Sequence, residues 1–156
     1  SQFRLIDHPW NFTPVIAFGI LAGYYLKNIL YGYGLVIASM ILGDLIIGFH
    51  YLIFFTYFGL LFSVIIGKYI SQLKLTQILL SSISSAVLFF IISNFGVFII
   101  GYPNNLAGFL ACYTAAIPFL QNSLAADILF TGVIFLSYDI IARSVPQLQS
   151  ETINQK

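Results

Sequence analysis

Three polar side chains stand where apolar sequence surrounds them: Asp44 within Leu42-Gly43-Asp44-Leu45-Ile46, Asn94 within Ser93-Asn94-Phe95-Gly96, and Asp127 within Ala126-Asp127-Ile128-Leu129. An aspartate at membrane depth costs about 3 kcal/mol on insertion scales, so each carboxyl must face protein or water rather than lipid. Two aspartates in apolar helices raise the chemistry of an intramembrane aspartyl protease, in which facing carboxyls share a proton at one depth. The glycine pattern around Leu42-Gly43-Asp44 and Tyr138-Asp139 is incomplete for that chemistry, and the order of the two segments is wrong. A Ser/His/Asp set, a phosphate-binding glycine loop and a zinc-spaced histidine pair are also missing from the sequence. An enzyme is therefore not expected. Cys112 is the single cysteine, so neither an internal disulfide nor a cysteine metal site is expected, and no cofactor is implied. The chemistry left is recognition of a small solute by scattered hydrogen-bonding groups.

The chain that must position these groups has 156 residues, of which 60% are hydrophobic and 7% charged. Its mean hydropathy is +0.97. A soluble domain carries about a quarter charged residues, so a water-soluble fold is set aside. A net charge of +1 offers no footprint for nucleic acid. From Leu75 to Ala126 there are 52 residues without a formal charge. The composition predicts an all-α, polytopic integral membrane protein whose first partner is the lipid bilayer.

Turn chemistry sets the expected breaks. Asn11, Thr13 and Pro14 make a helix start, with proline in the first turn where its missing N–H costs nothing. The expected helices cover about 14–26, 35–49, 53–69, 77–100, 106–120 and 124–142, six in one bundle. The first break is Lys27-Asn28 with the tyrosine- and glycine-rich Tyr31-Gly32-Tyr33-Gly34, and the strongest is Gly101-Tyr102-Pro103-Asn104-Asn105. The fifth helix is short, carries Pro118, and is parted from the sixth by Gln121-Asn122-Ser123. A single membrane domain is expected, with residues 1–11 as an N-terminal segment, 12–142 as the bundle and 143–156 as a polar tail.

Six crossings place both ends of the chain on one face, here face A. That face then gathers His8, Asn11, Thr13, His50, Tyr102 and Asn104, with Asp44 and Asn94 in the nearer halves of their helices. Face B receives Lys27, Lys68 and Lys74, with Asp127 just beneath. The expected site is a cavity on face A; the other face, around Tyr113, Gln121, Asn122 and Asp127, stays open as the alternative. Each of these residues also has a structural reading as a cap, a turn residue or an interfacial group. Counting Arg4, Arg143 and Lys156 on face A against the three lysines on face B gives a tie, which leaves the orientation undecided. Small residues mark two contact surfaces: Gly19 and Gly23, and then Ala107, Ala111 and Ala115. Such surfaces let helix backbones approach, either within the bundle or against another subunit.

The segments His8-Pro9-Trp10-Asn11-Phe12-Thr13-Pro14, Leu42 to His50, Ser93-Asn94-Phe95-Gly96-Val97, Leu110 to Phe119 and Ala126-Asp127-Ile128-Leu129-Phe130 occur in order along nearly the whole chain. Together they resemble a family of small bacterial membrane proteins of unknown function, domain of unknown function 6580, usually labelled as transport proteins. Trp10 stands where a second proline is usual, and Gln121 where an arginine is expected. That family is similar to the substrate-binding S components of energy-coupling-factor transporters. The resemblance implies a six-helix bundle in the bacterial inner membrane, a small-molecule pocket, and a first helix docking through Gly19 and Gly23 onto a membrane T component beside paired ATPases. The expected function is thus a solute-binding subunit of a transport system. The alternative is a structural or accessory subunit of a larger membrane complex with no ligand of its own.

Overall fold

The computed structural model describes residues 14–49, 51–71 and 74–144. They form five helices: α1 (Val15–Tyr25), α2 (Ile29–Ile47), α3 (Ile53–Lys68), α4 (Leu75–Gly101) and α5 (Leu106–Ser144). The described residues contain no strand. The fold is all-α, as expected, but with five helices rather than six.

Two of the predicted breaks fall differently. The Tyr31-Gly32-Tyr33-Gly34 segment lies inside α2, because Asn28 caps that helix earlier: its side-chain oxygen accepts the Leu30 N–H at 3.0 Å. Gly32 serves packing, since a Cβ there would press on the Val64 side chain. The larger correction concerns the predicted fifth and sixth helices, which are one continuous helix of 39 residues with Pro118 inside. Gln121, Asn122 and Ser123 are polar but contain neither glycine nor proline, and their helix propensity falls only a few tenths of a kcal/mol below that of alanine. Proline removes one main-chain bond, a loss that neighbouring helices and side chains offset within a membrane bundle.

The bundle is held by close backbone approach. Gly19 and Gly23 of α1 lie against α3, where an added Cβ would collide with the Ser63 side chain and the Val64 carbonyl oxygen respectively. Gly67 answers from α3, where a Cβ would strike the carbonyl of Ile20. Ile16, Ile20, Val36, Leu60, Val64, Ile78 and Phe135 fill the core around this seam. At the end of α3, the Lys68 ammonium donates to the carbonyls of Leu26 and Lys27, at 3.3 and 2.9 Å, and satisfies the chain leaving α1.

The contacts fix the directions. Gly19 meets Ser63 and Gly23 meets Val64, so α1 and α3 run parallel; Gly59 meets Phe89 and Gly96 meets Phe55, so α3 and α4 run antiparallel. Tyr24 and Tyr25 of α1 pack on Phe135 and Tyr138 of α5, which places the far half of α5 beside the end of α1. Residues 14 and 144 therefore lie at opposite ends of the bundle, here called end A and end B, and not on one face as six helices would require.

Two segments, Leu75–Gly101 and Leu106–Tyr138, are long and apolar enough to cross a membrane. The other helices are shorter: α1 has 11 residues, a rise of about 16 Å against a hydrocarbon core of about 30 Å. The two long helices are suited by length and composition to a membrane location, and among the described residues two such helices are found rather than six.

Two measurements check this architecture. In a Cys112→Ser background, spin labels at exposed Leu110 and Leu136 should report a separation of about 39 Å, the length of 26 helical rises; a hairpin would bring them within about half of that. Gly67→Val should lower thermal stability by about 1–3 kcal/mol through overpacking. Gly34→Ala, where a Cβ meets nothing within 4 Å, should hold or raise it.

Candidate solute cleft

A cleft of about 380 Å³ opens between the start of α3, the second half of α4 and the first half of α5. Leu52 and Thr56 form one wall, Phe89, Ser93 and Asn94 the next, and Cys112, Ala116 and Phe119 the third, with Tyr102 at the mouth and Ser123 at the deep end. Among the described residues, no formally charged side chain lines it.

Local sequence explains the positions. Gly96 and Gly59 let α4 and α3 approach closely, and Gly108 lets the start of α5 lie against the Pro103 carbonyl. Asn105 caps α5, its side-chain oxygen accepting the Gly108 N–H at 2.8 Å. The buried face of α5 is then Gly108, Cys112 and Ala116, spaced one turn apart. Several polar groups bond first to their own helices. Thr56 Oγ1 donates to the Leu52 carbonyl at 3.1 Å, Ser93 Oγ to Phe89 at 2.7 Å, and Asn94 Nδ2 to Phe90 at 2.8 Å. This back-bonding satisfies donors without water and leaves oxygen lone pairs facing the cleft. Cys112 Sγ approaches the Asn94 carbonyl at 3.5 Å and Tyr113 donates to Ile91 at 2.8 Å, tying α5 to α4. Phe90 stands edge-on to Tyr113 at 5.7 Å, and Tyr113 packs on Phe109 at 4.5 Å, which stiffens that wall.

The expected site residues are distributed as follows. Asn94 and Tyr102 line the cleft, and Tyr113 braces its flank. Asp44 lies at the same end of the bundle but outside the cleft: it is 6% exposed and accepts the Tyr57 hydroxyl at 2.6 Å. Asn104 is exposed in the turn before α5. Asp127 is deep in the bundle, one turn beyond Ser123 on α5 and apart from the cleft lining. His8, Asn11, Thr13 and His50 lie outside the described residues. Gly19 and Gly23 are buried against α3, and Ala107, Ala111 and Ala115 are exposed, with Ala115 at the cleft.

Sequence reasoning missed Thr56, Ser93, Cys112 and Ser123 in the cleft, and Tyr57 as the donor to Asp44. The usable signal was periodic: Cys112, Ala116 and Ser123 recur at helical spacing on one face of α5.

With neutral hydrogen-bonding groups and aromatic faces among its described lining residues, the cleft suits an uncharged or amphipathic small molecule. Removing the Asp44 donor tests the polar tie at this end. Tyr57→Phe should destabilise the protein by about 1–3 kcal/mol, since a buried acceptor loses its partner. The double variant Asp44→Leu/Tyr57→Phe should lose less than the sum of the two single changes.

The sequence profile described as "Family of unknown function (DUF6580)" matches residues 1–148. No curated protein and no solved structure matches the chain.

Proposed function

The chain belongs to this family of unknown function, and we propose that it is a multi-pass membrane subunit that binds a small, uncharged solute for transport. The observation that carries the reading is the cleft itself. About 380 Å³ falls within the usual range for small-molecule sites, and its aromatic walls carry a few neutral polar groups.

Charge placement supports an orientation. Lys27, Lys68 and Lys74 stand at end B, and because α5 is continuous, Arg143 in its last turn joins them. Among the described residues no lysine or arginine stands at end A, against these four at end B. Cytoplasmic loops hold the excess of lysine and arginine, so end B faces the cytoplasm and the cleft opens outward. Outward binding is what the likeness to S components implies, and in a bacterium the membrane concerned is the inner one. The five-helix count departs from that likeness, so the reading rests on the cleft. The chain carries no phosphate-binding loop, so energised transport would draw on a partner such as a T component with its ATPases.

The test is a thermal-shift screen of uncharged aromatic and amphipathic solutes on protein purified in mild detergent. A solute that raises the wild-type midpoint should bind Asn94→Ala about tenfold more weakly, the loss of one good hydrogen bond. Ala115→Trp, which fills the cleft from an exposed position, should abolish the shift while leaving the unliganded midpoint in place. A protein that shifts with no solute but co-purifies with a partner at fixed stoichiometry would instead be an accessory subunit.

A further inference from the structure

One turn below the cleft, α5 buries a carboxyl that has no structural partner. Asp127 is 2% exposed, and its Oδ2 has no hydrogen-bond partner. Because α5 is continuous from Leu106 to Ser144, the residue stands mid-helix, where it neither caps a terminus nor shapes a turn. Nothing among the described residues balances a charge there. The helices packed on α5 are α4 and α1. From Leu75 to Gly101, α4 carries no titratable side chain. On α1 the titratable groups are Tyr24 and Tyr25, which pack on Phe135 and Tyr138. Even Phe135 is eight residues beyond Asp127, a rise of about 12 Å. Along α5 itself the nearest titratable residues are Tyr113, 14 positions back, and Tyr138, 11 positions on. Asp44 and Tyr57 belong to α2 and α3, which do not pack on α5.

We infer that Asp127 binds a proton just beneath the cleft and exchanges it with the cleft through Ser123. An ionised carboxylate buried without a partner is among the costliest groups a bundle can hold, and intramembrane acids mark proton and ion pathways. A metal cation needs several oxygens converging on it, whereas a proton needs one. Ser123 supplies the way in. It lines the deep end of the cleft, is 6% exposed, and stands four residues before Asp127 on the same face of α5. Side chains at that spacing have Cβ atoms about 5–6 Å apart. A hydroxyl and a carboxyl span that gap directly or through one water. The acid gives its proton to the Ser123 oxygen as that hydroxyl passes its own hydrogen to water in the cleft, and the reverse returns it. Beyond Asp127 the same face is sealed by Thr131 and Phe135, 0% and 4% exposed. Use of this proton in transport rests on the cleft holding a solute; the proton site itself does not.

The test is infrared spectroscopy of the full-length protein in mild detergent, at neutral pH and without added solute. The difference between wild type and Asp127→Asn should show the carbonyl band of a neutral carboxylic acid. Asp127→Glu keeps the acid, should the amide prevent folding, and should show that band displaced. Transfer to heavy water should shift the wild-type band as the acid exchanges. Ser123→Val takes away the hydroxyl and fills its space, and should slow that shift about tenfold, since exchange then waits on opening of the bundle. A difference spectrum without the acid band, a band that stays in place in Asp127→Glu, or exchange untouched by Ser123→Val would overturn the site. A band without a thermal shift from any solute would leave the proton site standing and count against the cleft alone. A solute shift without the band would do the reverse.

Discussion

Everything in this bundle hangs on how closely α1 and α3 approach. In an apolar medium helices gain nothing from hiding hydrophobic surface, so they associate by close van der Waals packing of backbones. Gly19, Gly23 and Gly67 make that approach available, with each backbone resting where a side chain would otherwise stand. Once α1 is seated, α3 is fixed in direction and height, and α3 in turn supplies Leu52 and Thr56 to the cleft and a surface for α4. The cleft is thus an outcome of glycine placement two helices away from most of its lining.

Polar groups follow a second rule, which is that each must be satisfied inside the chain. Thr56, Ser93 and Asn94 turn their donors back to carbonyls of their own helices, and Lys68 closes the end of α1 from a different helix. Asp44 takes its donor from Tyr57 across the short turn joining α2 to α3. Against this background the buried oxygens of Ser82, Ser85, Asp127 and Thr131, which have no hydrogen-bond partner, are exceptional.

How much of this the sequence discloses depends on the kind of signal. The helical class and the apolar character follow from composition, and Gly48 and the 101–105 turn mark true helix ends. Gly48 adopts φ +104°, a conformation side chains resist, so its punctuation is unambiguous. Gly32 misleads because glycine serves both turns and tight packing, and only the neighbouring Val64 tells which. Gln121-Asn122-Ser123 misleads for a different reason: polarity suggests a surface, yet Ser123 is buried and the helix runs through. That single misplaced break reverses the parity of the chain and with it the membership of each face. Asn94 and Tyr102 reach the cleft under either count because they flank the same true turn. Thr56 and Cys112 leave no mark in composition, since a hydroxyl bonded to its own helix and a small buried thiol look like filler.

The unequal helix lengths also carry a consequence for the surrounding lipid. The apolar stretch of α5 from Leu106 to Tyr138 rises about 50 Å and α4 about 40 Å, whereas α3, with Phe54 and Phe58 on its outside, rises only about 24 Å. One flank is too tall for a hydrocarbon layer of about 30 Å and the opposite flank too short. Acyl chains around such a wedge must stretch on one side and compress on the other, unless the tall helices lean. Were both flanks set in one bilayer, as the proposed function requires, such a wedge would impose a gradient of thickness on its surroundings, and the thickness of the host membrane would feed back on its tilt.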